Sequence, residues 1–258
     1  MPIHPTAIVD PRAQIAESAD IGPYSIIAAE VEIGARTRLM ANVYIEGPTR
    51  IGEDNIFFPF SSIGVASQDL KYQGERAETH IGHRNRIREF VTIHRGTAGG
   101  GLKTVIGSDN LLMTYSHVAH DCQIGDHVIL GNSVGLAGHV VIEDWVDVAP
   151  FSGVHQFCRL GRHAFIGPYS VIKQDIMPYS LTSYKPEVSV FGANSVGLER
   201  RGFSRQAIES LQTALRLLTR SNLNTSQAVE RIRAEVPACA EVDELLEFIR
   251  ASERGVVK

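Results

Sequence analysis

The 258-residue chain is long enough for one large domain and a small appendage. Hydrophobic residues make up 43% and charged residues 21%, an ordinary globular balance, and the formal net charge of −4 excludes a general nucleic-acid binder, which carries a basic surplus. Three cysteines without a close-spaced pair describe neither a disulfide framework nor a zinc ribbon.

The opening Met1-Pro2-Ile3-His4-Pro5 has neither the basic nor the apolar region of a signal peptide. No apolar run approaches the ~18 residues of a bilayer span. The expected setting is cytoplasmic, without integral membrane association.

From Ile3 an aliphatic residue (once Phe57) recurs at every sixth position as far as Ile63. The series resumes at Ile81, Ile87 and Ile93, and again from Ile106 without a break to Ile172. Four residues after each stands a small or modest side chain, as at Ser25, Thr37, Asn55, Asn110, Cys122 and Ser170. An α-helix repeats near 3.6 residues and a free strand near 2, so neither explains a strict six. A solenoid of short strands does: each hexapeptide supplies one flat face, and three faces close a coil of eighteen residues. Twenty-six such positions imply roughly eight to nine coils. The spacing predicts a β-helix over 1–190, with insertions at about 64–80 and 94–105.

The two interruptions contain Ser67-Gln68-Asp69-Leu70-Lys71-Tyr72 and Thr97-Ala98-Gly99-Gly100-Gly101. Loops that leave a repeat scaffold commonly carry function. The glycine run lacks the strand–loop–helix context and spacing of a phosphate loop and reads as a flexible loop tip.

Where the repeat is unbroken, residues eighteen apart sit on neighbouring coils, ~4.8 Å apart. His120, Gly138 and Gln156 then form one column, Asp121, His139 and Phe157 the next, with His117 and His155 flanking. A histidine can take a proton from a hydroxyl near neutral pH. A glycine one rung away exposes a backbone N–H for a developing oxyanion. Asp121 is placed to hold the imidazole in one tautomer, although successive strand residues point apart. Taken singly, each of these residues reads as ordinary surface or corner chemistry. Cys122 and Cys158 occupy interior positions two coils apart, beyond disulfide reach, and read as core.

After Ile172 the pattern stops, and Pro178, Ser180 and Pro186 read as a link. From Ser204, a plausible N-cap, Ile208, Leu211, Leu215 and Leu218 form a helical stripe. Val229, Ile232 and Val236, then Leu245, Leu246 and Ile249, suggest two more helices. The expected C-terminal helical domain covers 191–258.

The hexapeptides resemble those of the left-handed β-helix acyl- and nucleotidyltransferases, which implies the left hand of the coil and, by analogy, a homotrimer with sites between subunits. The gamma-class carbonic anhydrases of that architecture bind zinc through three histidines. Their His-x-x-x-x-His spacing is missing from His117-x-x-His120, so no metal is expected.

Local sequence narrows the resemblance. Gln68-Asp69-Leu70-Lys71-Tyr72, Thr92-Ile93-His94-Arg95-Gly96-Thr97, His117-Val118-Ala119-His120-Asp121-Cys122, Leu136-Ala137-Gly138-His139, Val154-His155-Gln156-Phe157 and Arg200-Arg201-Gly202-Phe203-Ser204 together resemble the UDP-N-acetylglucosamine O-acyltransferase family over essentially the whole chain. The resemblance implies a 3-hydroxyacyl group passed from acyl carrier protein to the sugar 3-hydroxyl, without a cofactor, as the first step of lipid A assembly.

It implies His120 as general base, Gly138 N–H as oxyanion donor and Asp121 as partner of His120. Asp69, Lys71, His139, Gln156, Asn194, Arg200 and Arg201 would hold the UDP-sugar, and His117 and His155 would line the cleft. Phe165 and Pro168 fall where relatives set acyl length, implying chains no longer than the usual C14. Arg200, Arg201 and Arg205 suit an anionic diphosphate or an acidic helix, or simply a solvated helix start.

Two departures stand out: Tyr184-Lys185-Pro186 replaces a family Gly-Asn-Pro, and Val196 replaces a glutamate associated with the nucleotide. The alternatives are a 3-amino UDP-sugar acceptor, a related β-helix N-acyltransferase (usually with an added N-terminal domain) and a non-enzymatic trimeric scaffold.

Overall fold

A computed structural model describes residues 3–184 and 187–258; Met1, Pro2 and the Lys185-Pro186 part of the family departure lie outside the described residues. The chain is a left-handed parallel β-helix with a small helical region at its C-terminal end. Three sheets form the faces of a triangular prism. The first face stacks nine strands from Ile8–Val9 to Val171–Ile172, including His117–Val118. The second stacks eight, from Gln14–Ile15 to Arg159–Leu160, and the third ten, from Asp20–Ile21 to Val188–Ala193.

Register is in steps of eighteen wherever the repeat is unbroken, as in Val118↔Leu136 and Leu136↔Val154. The sixth-position aliphatics, Ile21, Ile45, Ile93, Leu130 and Ile166 among them, are fully buried along the prism axis.

The side chain four residues on also points inward. There Asn55, Asn85 and Asn110 do more than save space. Each donates its Nδ2 to a backbone carbonyl one coil away, at 2.8 Å (Gly82), 2.9 Å (Gly107) and 3.0 Å (Gly125). Their Oδ1 atoms accept the N–H of Asn85, Asn110 and Val128. A buried amide is tolerated because every polar atom finds a partner.

Between these positions the chain turns a corner of two residues. At most corners the second residue is left-handed, with φ near 60° at Tyr24, Arg36, Asp54, Asp121, His139 and Trp145, and none of these left-handed residues is β-branched among the described residues, as sterics require. The first corner residue gives no N–H to the backbone ladder. Pro23, Pro59, Pro150 and Pro168 can therefore occupy it without loss.

Both insertions leave the prism at the edge between the first and second faces. Ile63 pairs with Ile93 thirty residues on, and Ile93 with Val118 twenty-five residues on, where an unbroken coil needs eighteen.

The segment read as a link is structured. Ser180–Tyr184 adds a parallel strand to the third face, and Val188–Ala193 folds back antiparallel on it. Its missing hexapeptide signal follows from that reversal, because a hairpin does not repeat in sixes. Four α-helices follow among the described residues: α1 (Ser195–Arg200), α2 (Arg205–Arg220), α3 (Thr225–Glu235) and α4 (Ala240–Ala251).

Ser204 caps α2, its hydroxyl accepting from Ala207 N at 3.1 Å, and the stripe Ile208, Leu211, Leu215 and Leu218 is buried as expected. The short α1 has no signature in the sequence pattern. It is held by its N-cap Asn194 and too brief to show periodicity. Tyr179 Oη donates to Glu244 of α4 at 2.5 Å and Ser252 Oγ to Asp175 at 2.7 Å, fastening the helices to the last coils. No helix among the described residues is long and apolar enough to cross a membrane.

Candidate active site

His120 and Asp121 are the two corner residues between the strands His117–Val118 and Gln123–Ile124. Asp121 is left-handed, with φ 61°, so the strand rule that would aim the two side chains apart does not operate. His120 Nδ1 lies 2.8 Å from Asp121 Oδ2. Asp121 is buried and accepts two further hydrogen bonds from the second insertion: Thr97 N–H to Oδ1 at 2.9 Å and Thr97 Oγ1–H to Oδ2 at 2.6 Å. With the carboxylate on one ring nitrogen, the imidazole presents Nε2 as its basic atom.

One rung away, Gly138 sits under that ring. A methyl group at Gly138 would stand 2.5 Å from both Cε1 and Nε2 of His120, so a side chain there and this imidazole exclude one another. Gly138 takes the first corner position, and its N–H has no acceptor among the described residues. The glycine thus leaves an uncommitted backbone donor on the rung beside the imidazole.

Asp69 reaches this corner from the first insertion, with Oδ2 3.9 Å from His120 Nε2. Its Oδ1 accepts from Lys71 N at 3.0 Å, an Asx turn that leaves the Lys71 side chain exposed. His139 lies edge-to-face with His120 at 5.1 Å and stacks on Phe157 at 4.5 Å. Gln156 follows Gly138 in the column and is exposed.

His120, Asp121 and His139 offer ligand atoms within 4.8 Å of one another. The shared Asp121 Oδ2 is already engaged by Thr97 Oγ1 and His120 Nδ1, so a cation would have to displace both.

Sequence reasoning left His94 without a role. It is buried, edge-to-face with His117 at 4.9 Å, and its Nδ1 has no partner. Burial, reinforced by the neighbouring His117 and His120, pushes its pKa down to about 4. Its signal was its place just after a core aliphatic, shared with Ala119, Ala137 and His155. Burial also lowers His117 and His139. His117 Nδ1 engages Thr92 Oγ1 at 2.7 Å.

The glycine run is not a free loop tip. Ala98–Gly100 forms a 3₁₀ turn ended by left-handed Gly101, and a methyl at Gly100 would fall 2.0 Å from Asp121 Cγ. Close approach to the carboxylate is why glycine stands there. Glu75 of the first insertion accepts Ala98 N–H at 2.9 Å, tying the two loops together. That bond, ahead of the one from Gln73 N–H, lowers the Glu75 pKa.

His155 lies two coils beyond His117 along the first face, where Gly135, Gly153, Ala137 and Leu136 line an apolar trough that ends at His155 and Lys173. Asn194, Arg200 and Phe165 do not join it. They line a separate cleft of about 480 Å³ on the third face, with Leu181, Phe191 and Val196.

Asn194 is spent locally. Its Nδ2 donates to His163 O at 3.0 Å, and its Oδ1 caps α1. Arg200 is exposed, while Arg201 reaches Asp147 at 3.3 Å and lies over Trp145. Burial raises the Asp147 pKa against the pull of Arg201. Pro168 is exposed at the edge between the third and first faces. Since the His120 edge lies opposite the third face, one chain does not bring these two groups together. Cys122 is buried, with its thiol pushed up to about 12 by burial, which leaves no nucleophilic sulfur at the corner.

Comparison with known proteins adds independent findings. Residues 175–257 match the family model described as UDP-N-acetylglucosamine O-acyltransferase, domain 2, and residues 103–138 match the bacterial transferase hexapeptide model. An acyl-[acyl-carrier-protein]–UDP-N-acetylglucosamine O-acyltransferase of Halorhodospira halophila is 48% identical over 256 residues, covering 99% of each chain. A crystal structure of a UDP-N-acetylglucosamine acyltransferase from Bacteroides fragilis superposes with a TM-score of 0.97 at 42% identity, covering 99% of this chain and 100% of that one. The enzyme from Acinetobacter baumannii gives 0.95 at 46% identity, with 99% of each chain covered.

Proposed function

Because the chain belongs to the UDP-N-acetylglucosamine O-acyltransferase family, we propose that it transfers a 3-hydroxyacyl group from acyl carrier protein to the 3-hydroxyl of UDP-N-acetylglucosamine, the step that opens lipid A assembly. The observation that carries this reading is the His120 imidazole, held by Asp121 on one side and set against the bare Gly138 peptide on the other.

In the reaction, His120 Nε2 removes the proton of the sugar hydroxyl as the oxygen attacks the thioester carbonyl carbon. Gly138 N–H stabilises the oxyanion that forms. Collapse expels the carrier's thiolate, which regains a proton from the imidazolium. No acyl-enzyme intervenes. Asp121 keeps the imidazole in the productive tautomer and offsets its charge. Asp69, Lys71, His139 and Gln156 surround the hydroxyl's approach, and His117 and His155 flank the trough on the first face.

The separate placement of the Asn194–Arg200 cleft supports a homotrimer, in which a neighbouring copy brings its third face to this edge and its cations to the diphosphate. Phe165 in that cleft and Pro168 at the edge between the third and first faces favour acyl chains no longer than C14. The use of acyl carrier protein and a UDP-sugar supports a cytoplasmic setting, and the proposed chemistry calls on no cofactor.

The deciding experiment offers the protein a mixed pool of 3-hydroxyacyl carrier proteins together with UDP-N-acetylglucosamine and its 3-amino analogue, and reads the products by mass spectrometry. An O-acylated UDP-sugar is expected, with His120→Ala at least ~10²-fold slower and its sedimentation unchanged. No acylated sugar, or a fully active His120→Ala protein, overturns the reading. Preference for the amino sugar or for chains above C14 corrects the acceptor or the length.

A further inference from the structure

The carboxylate that supports His120 has an unusual set of partners. Asp121 is 4% exposed, and a buried charge is costly unless it is paired and hydrogen-bonded. No Lys or Arg lies within ion-pair distance of it among the described residues; its charged-type neighbours are His120 and, at 3.9 Å, His139. Two of its three short hydrogen bonds come from one residue, Thr97. Thr97 Oγ1–H donates to Oδ2, the same oxygen that faces His120 Nδ1, while its amide donates to Oδ1. The carboxylate plane is thereby fixed at both oxygens.

Thr97 is itself held. It is buried, and its carbonyl accepts from Gly100 N at 3.1 Å and Leu102 N at 3.0 Å. Thr104 Oγ1 accepts Asp121 N–H at 2.8 Å and pins the corner backbone from the far end of the same insertion. Gly100 closes over the carboxylate at a distance that admits no side chain, whereas a methyl at Gly99 would meet nothing nearer than 3.9 Å. The insertion is a shaped cover on one buried charge.

We propose that Thr97 is a positioning residue for the acyl transfer: together with the Gly100 roof it orients and desolvates the Asp121 carboxylate, which in turn keeps His120 as the Nδ1–H tautomer with Nε2 free. Thr97 acts through Asp121 and touches neither substrate. Loss of its hydroxyl removes a hydrogen bond to a charged group, an interaction large enough to change a rate constant by roughly 10- to 100-fold. The effect falls on kcat and spares KM, because the imidazole's state matters in the transition state and not in ground-state binding.

The proposal rests on the acyltransferase reading, and the test keeps the two apart. In the full-length protein, Thr97→Val is expected to lower kcat by roughly 10- to 100-fold with KM for both substrates within about twofold, and Thr97→Ser to restore most of the rate. Gly100→Ala should reproduce the kcat loss by driving a methyl into the carboxylate, and Gly99→Ala should match the parent. That glycine pair decides the matter if Thr97→Val fails to fold.

Nitrogen NMR of His120 supplies a readout independent of turnover: a single Nδ1–H tautomer in the parent and a mixture in Thr97→Val and Gly100→Ala. A parent protein without acyl transfer would sink the functional reading while the tautomer result still judged this one. Unchanged kcat and tautomer in folded Thr97→Val or in Gly100→Ala, or a loss confined to KM, overturns the role of Thr97.

Discussion

Two edges of the prism are built from the same kind of corner, with a left-handed residue three positions after most core aliphatics, and they use it differently. Along the edge between the second and third faces each side chain is engaged by the one a rung away. Arg36 pairs with Asp54 and Arg84 with Asp109, both at 2.7 Å. Farther along, His127, Trp145, His163 and Tyr179 stack in one column, the closest rings 3.8 Å apart. Among the described residues that edge meets most of its own needs, with His163 Nδ1 the buried atom left unpartnered in the stack.

The edge between the first and second faces is interrupted by both insertions, so Asp121 turns to Thr97 and His120 for partners. It leaves an imidazole nitrogen and the Gly138 amide uncommitted. Regular stacking consumes polar groups, and function sits where the repeat is broken.

The sharpest way to break this contrast is Gly138→Ala. The amide N–H survives, but the methyl enters the space of the His120 ring at 2.5 Å. Displacing a catalytic group by an ångström is worth about 10²-fold, so turnover should fall by that order while the thermal midpoint moves little. Steady-state kinetics beside a melting curve checks both.

Next in size is a pH effect that both edges share. Burial lowers His94, beside the active corner, and His163, in the aromatic stack, each to about 4. The unfolded chain titrates these imidazoles near ~6.5, so below that pH it binds protons that the folded chain refuses. Stability should therefore be full above ~6.5 and fall between ~6.5 and 4, by roughly 1–3 kcal/mol for each residue. His163→Phe keeps the stacking and removes one titration, so melting temperature against pH should slope less steeply. An unchanged slope would place the titration elsewhere.

The smallest effect is expected at the charge ladder. Arg84 is more than half exposed, so Arg84→Met should leave the urea-unfolding midpoint almost unchanged despite the short contact to Asp109. A loss of several kcal/mol would mean that the regular edge also stores substantial electrostatic stability.

Much of the molecule was legible in its amino acids, because a prism this thin dictates spacing. Only a hexapeptide with one large and one modest inward residue closes three faces, so the coil, its register and the His120–Gly138 column follow from counting. Three things needed the tertiary structure. A period says nothing about where an insertion folds, so Thr97 and Gly100 over Asp121 were invisible, and the glycine run looked loose. Side-chain direction at a corner depends on φ, which brought Asp121 onto His120 against the alternation of a strand. The hairpin of Ser180–Tyr184 and Val188–Ala193, with α1 behind it, abandons the repeat altogether. Position along a rung can be read from local sequence. What lies across an edge is decided by contacts between residues far apart in the chain.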